Sequence, residues 1–120
     1  MFGKYTKQRI SSTITYAMAE FKKVANLSEL SEDTVIGVKV GNKEIALYLV
    51  DGQVLATDDL CTHDYCSISE NFSLYGEEVE CTCHGSHFNI KTGENTVPPA
   101  AEKLPIYNVK VEDGEIFVEV

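Results

Sequence analysis

The chain has 120 residues, of which 43% are hydrophobic and 24% charged, and its net charge is −9. This length suits one domain, and no run approaches the roughly 18 apolar residues of a membrane-spanning helix. The acidic balance argues against a nucleic-acid partner, whose phosphates would repel the protein. We therefore expect a protein that binds neither nucleic acid nor membrane.

Residues 1–17 are predicted to be a flexible leader in front of the folded domain. They carry three basic residues and no acidic one. Ala17-Met18-Ala19 resembles a signal-peptide cleavage site, but the segment before it lacks the apolar run that secretion requires. We therefore expect a cytoplasmic chain whose domain spans residues 18–120.

Short strands joined by hairpin turns are predicted on both sides of a central segment. The predicted strands are Phe21–Ala25, Val35–Val40, Glu44–Val50, Val54–Thr57, Ile106–Val111 and Glu115–Val120. Asn26–Asp33 is typical of a capped helical turn or an irregular link. Gly41-Asn42, Asp51-Gly52 and Asp113-Gly114 are hairpin signals. This pattern predicts an all-β fold, either an antiparallel sandwich or a small barrel.

The strand pattern stops between Asp58 and Pro99, where we expect two loops that carry the chemistry. All four cysteines and all three histidines of the chain lie in this segment. Cys61-Thr62-His63 and the run from Cys81 to His84 each offer a thiolate and an imidazole at short spacing, which lets both groups reach one metal-sized volume. Thiolate and imidazole together suit either the iron of an iron–sulfur cluster or zinc.

The segment from Glu44 to Ile90, which includes every cysteine and histidine, carries the whole charge excess of the chain. From Glu44 to Ile90 the sequence has nine acidic residues and no Lys or Arg, whereas the remainder has ten of each sign. An acidic face next to the chemistry would steer the protein toward a basic patch on a protein partner. The alternative is a solvated surface that serves solubility alone. The acidic residues are Glu44, Asp51, Asp58, Asp59, Asp64, Glu70, Glu77, Glu78 and Glu80.

The two motifs resemble the Rieske family, whose pattern is Cys-x-His, a spacer near this length, and Cys-x-x-His. The resemblance implies one [2Fe–2S] cluster bound by Cys61, His63, Cys81 and His84, on a β-sandwich with a small cluster-binding subdomain of two loops at about residues 58–99. Mixed Cys and His ligation raises the reduction potential above that of all-cysteine clusters. Nothing in the sequence indicates a catalytic residue.

Several stretches, among them 54–63 and 88–93, are similar to the small ferredoxin components of bacterial aromatic-ring-hydroxylating dioxygenase systems. The resemblance implies an electron carrier and not an enzyme by itself. Its implied partners are an NAD(P)H-dependent flavin reductase and a terminal oxygenase, which would meet the acidic face. Three alternatives remain open: a Rieske subunit of nitrite reductase or of a bc-type complex, a structural zinc module, and a secreted disulfide-stapled domain.

Four positions in or next to the motifs differ between two Rieske groups, the high-potential proteins and the ferredoxins, and this sequence matches neither group at all four. Cys66, Cys83 and Ser86 resemble the high-potential Rieske proteins of bc complexes, and this resemblance implies a Cys66–Cys83 disulfide and a Ser86 hydroxyl that donates to a cluster sulfide. Two buried free thiols are the alternative at Cys66 and Cys83, as expected of a cytoplasmic chain. Phe88 instead matches the ferredoxins. We therefore predict a reduction potential between those of the two groups. His87 is expected to be a surface or outer residue and not a further ligand.

Overall fold

The computed structural model describes residues 20–62, 66–100 and 102–120. The predicted leader at residues 1–17 lies outside the described residues, as do His63, Asp64 and Tyr65. Within the described ranges, no helix is long and apolar enough to cross a bilayer. The regular structure there consists of strands and two 3₁₀ turns.

Eleven antiparallel strands form three sheets in the described residues, which confirms the predicted all-β class. The sheets have the strand orders β1-β11-β10, β2-β3-β4-β9 and β5-β6-β7-β8. The strands are β1 (Phe21–Asn26), β2 (Val35–Val40), β3 (Lys43–Val50), β4 (Gln53–Asp58), β5 (Phe72–Tyr75), β6 (Glu78–Cys81), β7 (Ser86–Asn89), β8 (Asn95–Val97), β9 (Ile106–Tyr107), β10 (Val109–Glu112) and β11 (Glu115–Glu119).

Strand β3 is the centre of the molecule because it is buried on both faces. Ile45 and Leu47 point into one hydrophobic cluster, which the β1-β11-β10 sheet covers. Ala46, Tyr48 and Val50 point into a second cluster, which side chains of β5, β6 and β7 cover. Successive side chains of a strand alternate between faces, so a strand between two cores needs a continuous apolar run. The β1-β11-β10 sheet is therefore separated from β5–β8 by the β2-β3-β4-β9 sheet.

The buried Tyr48 hydroxyl is satisfied within the core. It lies 2.8 Å from Thr57 Oγ1, and the Thr57 hydroxyl itself donates to the Asp58 carbonyl oxygen at 2.8 Å. Tyr48 is therefore the donor to Thr57. Burial raises the pKa of Tyr48 well above its ordinary value, so the phenol stays protonated at physiological pH.

Two sequence predictions of local structure are corrected. The segment between Asp58 and Pro99 was expected to consist of loops, but it contains the whole β5–β8 sheet. The single strand predicted at Ile106–Val111 is two strands, because the chain changes sheets at Asn108: β9 pairs with β4 and β10 pairs with β11. Asn108 secures this bend, since its amide donates to the Glu119 carboxylate at 2.8 Å and its carbonyl accepts from Glu119 N at 3.0 Å.

Candidate metal centre

The first cysteine loop leaves β4 and returns to a 3₁₀ turn at Ile68–Glu70. Its two sides are joined by a bridge between Leu60 and Ser67 and by a hydrogen bond of 2.9 Å from Cys61 N to the Cys66 carbonyl. Cys61 is 2% exposed, and it belongs to the same apolar cluster as Tyr48. The predicted ligand His63 lies in the part of this loop outside the described residues.

The carboxylate of Asp59 accepts the hydrogen bonds that hold the end of this loop in place. The sequence placed Asp59 among the acidic residues of a solvent-facing surface, but it is 3% exposed. Its carboxylate accepts from Ser69 N at 2.7 Å, from Ser69 Oγ at 2.6 Å and from Ser67 Oγ at 3.2 Å. A buried carboxylate is tolerated when donors of this kind surround it. A Cβ on Gly37 would lie 2.5 Å from Ser69 Oγ, so glycine at that position keeps space for this network.

The second cysteine loop is a tight turn between β6 and β7. Cys81, the last residue of β6, is 1% exposed and pairs with Ser86, the first residue of β7. Gly85 closes the turn with a hydrogen bond of 2.9 Å to the Cys81 carbonyl, and its φ of 85° favours glycine. The turn leaves Cys83 and His84 exposed. The second motif therefore presents its thiol inward and its imidazole at the surface.

Asn71 connects the two loops, although no sequence motif pointed to it. Its side-chain amide donates to the Ser67 carbonyl at 3.0 Å, and its own carbonyl accepts from Thr82 N at 3.0 Å. One residue thus spans the end of the first loop and the start of the second. A single asparagine outside both motifs cannot be singled out without knowledge of the pairing of β5 with β6.

A disulfide between Cys66 and Cys83 ties the loops together covalently, with a Cα–Cα distance of 6.7 Å. This confirms the pairing that the resemblance implied. Cys61 and Cys81 remain as thiols, both buried. The Sγ atoms of Cys66, Cys81 and Cys83 all lie within 4.8 Å of one another, and Cys61 is not part of that group.

The buried hydroxyl of Ser86 accepts one hydrogen bond, and its proton is available for donation to another acceptor. It is 0% exposed, and its Oγ accepts from Ala100 N at 2.9 Å, which holds the Pro98-Pro99 segment against the second loop. Among the described residues, no acceptor takes the proton of this hydroxyl. A buried donor is usually satisfied, so this one fits an acceptor that the protein itself does not supply, such as a cluster sulfide.

His87 lies outside the turn and faces carboxylates. Its Nδ1 is 3.1 Å from Glu78 Oε1, its Nε2 is 3.8 Å from Glu80 Oε1, and its ring stacks on Tyr75 with centroids 5.3 Å apart. Both ring nitrogens therefore have neighbours on the β5–β7 surface. This arrangement agrees with the expectation that His87 is not a ligand, although that expectation stays a prediction.

The donor set fits an iron–sulfur cluster with mixed ligands. Cys61 and Cys81 offer buried thiolates from two loops, which suit iron or zinc, and His84 offers an imidazole at the surface. The buried Ser86 donor adds a partner for an inorganic sulfide. A closed zinc site would leave that donor unexplained.

Most of the described carboxylates of the acidic segment are at least partly exposed, and one is buried. Glu44, Asp51, Glu70 and Glu77 are exposed, whereas Asp59 is buried. Glu77 also pairs with Lys91, just beyond the acidic segment, at 3.3 Å. The surface charge is therefore negative but smaller than the residue count suggests.

Comparison with known proteins identifies relatives over most of the chain. Residues 20–108 match the family described as the Rieske [2Fe-2S] domain. The ferredoxin component of the naphthalene 1,2-dioxygenase/salicylate 5-hydroxylase systems of Ralstonia sp is 41% identical over 96 residues, which cover 80% of this chain and 91% of that protein. The ferredoxin component of the p-cumate 2,3-dioxygenase system of Pseudomonas putida is 41% identical over 93 residues, 77% of this chain and 79% of its own length.

Solved structures also superpose on most of this chain. A Sphingomonas yanoikuyae B1 ferredoxin superposes with a TM-score of 0.79 at 27% identity, over 84% of this chain and 99% of its own. A chain from the complex of reduced oxygenase and oxidized ferredoxin in carbazole 1,9a-dioxygenase superposes with a TM-score of 0.74 at 38% identity, over 80% of this chain and 98% of its own.

Proposed function

Because the chain belongs to the Rieske [2Fe–2S] domain family, we propose that it is a one-electron carrier between an NAD(P)H-dependent flavin reductase and a terminal oxygenase. It is an electron-transfer component and not the catalyst. The relatives it matches over most of their length are ferredoxin components of dioxygenase systems. The observation that carries the proposal is the pair of buried thiols, Cys61 and Cys81, on two loops joined by a disulfide.

The proposed ligands of one [2Fe–2S] cluster are Cys61 and Cys81 through sulfur and His63 and His84 through nitrogen. When bound, the cluster supplies a site that accepts and releases one electron at a time. The chain contributes a dry enclosure for the thiolates, since both cysteines are at most 2% exposed. It also contributes a surface edge, since His84 is exposed and can meet a partner protein directly.

Ser86 tunes the reduction potential in this proposal. A hydroxyl that donates to a sulfide stabilises the reduced, more negative state. We expect Ser86→Ala to lower the potential by about 60 mV, equivalent to about 1.4 kcal/mol for a one-electron couple. Redox titration followed by circular dichroism would measure the shift. Ser73→Ala, on β5 and without a known hydrogen bond to the centre, is the matched control and should leave the potential unchanged. An unchanged potential in Ser86→Ala would exclude this role.

The acidic face is proposed to meet basic patches on both redox partners. Electrostatic steering accelerates association by about 10–10³-fold and weakens as salt rises. We expect the rate of electron transfer from the reductase to fall with ionic strength, and Glu44→Gln/Glu70→Gln to lower the low-salt rate further. Glu112→Gln is the control, because β10 belongs to the sheet that the β2-β3-β4-β9 sheet separates from β5–β8. A rate that is independent of salt, or equal losses in the control, would contradict this interface.

The whole function is tested by reconstitution of electron transfer. The purified chain, reduced anaerobically, is mixed with the oxidised terminal oxygenase in a stopped-flow instrument, and the visible absorption of both proteins is recorded. We expect reoxidation of the chain with one electron delivered per molecule. In a second experiment, we expect the flavin reductase and NAD(P)H to reduce the oxidised chain. We also propose that the chain acts in the cytoplasm, where pyridine nucleotides are available to the reductase.

A further inference from the structure

The three sulfurs of Cys66, Cys81 and Cys83 form a compact group of their own. All three Sγ atoms lie within 4.8 Å of one another. They also differ in exposure: Cys81 is buried, Cys66 is half-buried and Cys83 is exposed. The group therefore extends from the interior to solvent, which gives an incoming ion a route to it. Cys61, the other proposed cluster cysteine, does not belong to this group.

Three thiolates at this separation suit a soft divalent metal. Zn–S bonds are about 2.3 Å long and tetrahedral, so neighbouring sulfurs of a zinc site are about 3.8 Å apart. The three sulfurs lie within 4.8 Å of one another while Cys66 and Cys83 are bonded, so after reduction these two move apart to reach the spacing of a zinc site. Cys83 is exposed, so water can supply the fourth ligand. Soft thiolate sites of this kind also select Cu(I) over hard cations.

We propose that the reduced, cluster-free chain binds zinc or a similar soft metal ion on Cys66, Cys81 and Cys83, and that the disulfide keeps this site closed. A cellular dithiol opens it by exchange: the Cys66–Cys83 bond breaks, the dithiol is oxidised to its own disulfide, and its two protons pass to the two released thiols. Metal binding then displaces the protons of the three thiols. With the disulfide intact, Cys81 is the one thiol of the group.

The consequence is competition for Cys81, and this part rests on the proposed function. Cys81 cannot serve the cluster and the soft metal at once. The disulfide therefore removes two of the three competing thiolates before the cluster is assembled. In this view it protects the site from the wrong metal, in addition to tying the loops together.

The test uses the full cluster-free chain and Co²⁺ as a coloured probe for zinc. Cobalt is titrated into the chain before and after reduction with a trialkylphosphine, which brings no thiols of its own. Thiolate-to-cobalt absorption in the near ultraviolet grows with the number of bound thiolates, and Zn²⁺ should displace the cobalt. We expect reduction to tighten binding and to increase this absorption. Equal affinity and equal absorption in the oxidised and reduced chains would overturn the proposal.

Two serine variants separate this site from the cluster site. In the reduced state Cys83→Ser should weaken cobalt binding by more than about tenfold, since loss of an outer partner alone typically costs 10–100-fold. Cys61→Ser should bind cobalt as the wild type does, while failing to take up iron and sulfide. Equal losses in the two variants would contradict the proposal. Circular dichroism verifies that each is folded, and Cys66→Ser replaces Cys83→Ser if the latter is not.

The failure of this proposal is distinguishable from failure of the proposed function. A chain that never takes up iron and sulfide in reconstitution would defeat the carrier role and leave the cobalt titration valid. A chain that takes up the cluster normally, but shows no gain in cobalt binding on reduction, would defeat only the soft-metal site.

Discussion

Replacing His84 with alanine is expected to yield a folded chain that does not retain a [2Fe–2S] cluster. His84 is exposed on the turn between β6 and β7, so truncation of its side chain opens no cavity in the core. One iron would lose one of its two protein ligands. We expect iron and acid-labile sulfide to fall from two of each per chain to near zero after purification, while the circular dichroism of the backbone stays that of the apo wild type.

His87→Ala is the matched control for that experiment. His87 is three residues farther along the chain, and its ring nitrogens face Glu78 and Glu80. The variant should keep its full iron and sulfide content, with no more than a small loss of stability from the lost stacking on Tyr75. Cluster loss in His87→Ala together with retention in His84→Ala would reverse the assignment of the ligands.

Removal of the disulfide through Cys66→Ser/Cys83→Ser is expected to lower the free energy of unfolding by about 3 kcal/mol. The bridge closes a loop with a sequence separation of 17, and the chain-entropy relation for such a loop gives about that value. The larger part of the effect arises in the unfolded chain, which gains freedom when the link is absent. Urea unfolding of the cluster-free wild type and the variant, both without reductant, would measure the difference.

A reductant provides the internal control for this second prediction. Adding a trialkylphosphine should bring the wild type down to the stability of the variant and leave the variant unchanged. A midpoint that is the same in both chains without reductant would show that the bond adds nothing to stability. A variant that responds to the phosphine would show that the measured loss comes from elsewhere.

Strands β2, β3 and β4 could be predicted from sequence because they are long and their turns are specific. β2 was predicted with its observed bounds, and β3 and β4 within one residue at each end. Asp51 and Asp113 adopt positive φ in the hairpins that their Asp-Gly pairs predicted. The two cysteine motifs were likewise visible, since Cys and His at short spacing leave a signal that does not depend on tertiary structure.

The β5–β8 sheet was missed for physical reasons. Strands β5–β8 have four residues or fewer, too few for a period-2 pattern to emerge from sequence alone. Asp59 was assigned to the surface because carboxylates are seldom buried. Its burial depends on hydroxyl and amide donors from Ser67 and Ser69, which meet it only after the first loop has closed.

The most direct test of the account is electron–nuclear double resonance on the reduced protein with histidine labelled in ¹⁵N. We predict couplings to the nitrogens of two histidines in the wild type and in His87→Ala, whereas His84→Ala carries no cluster and gives no [2Fe–2S] signal. A reduced [2Fe–2S] signal without histidine nitrogen, or a chain that carries zinc and no inorganic sulfide, would contradict it.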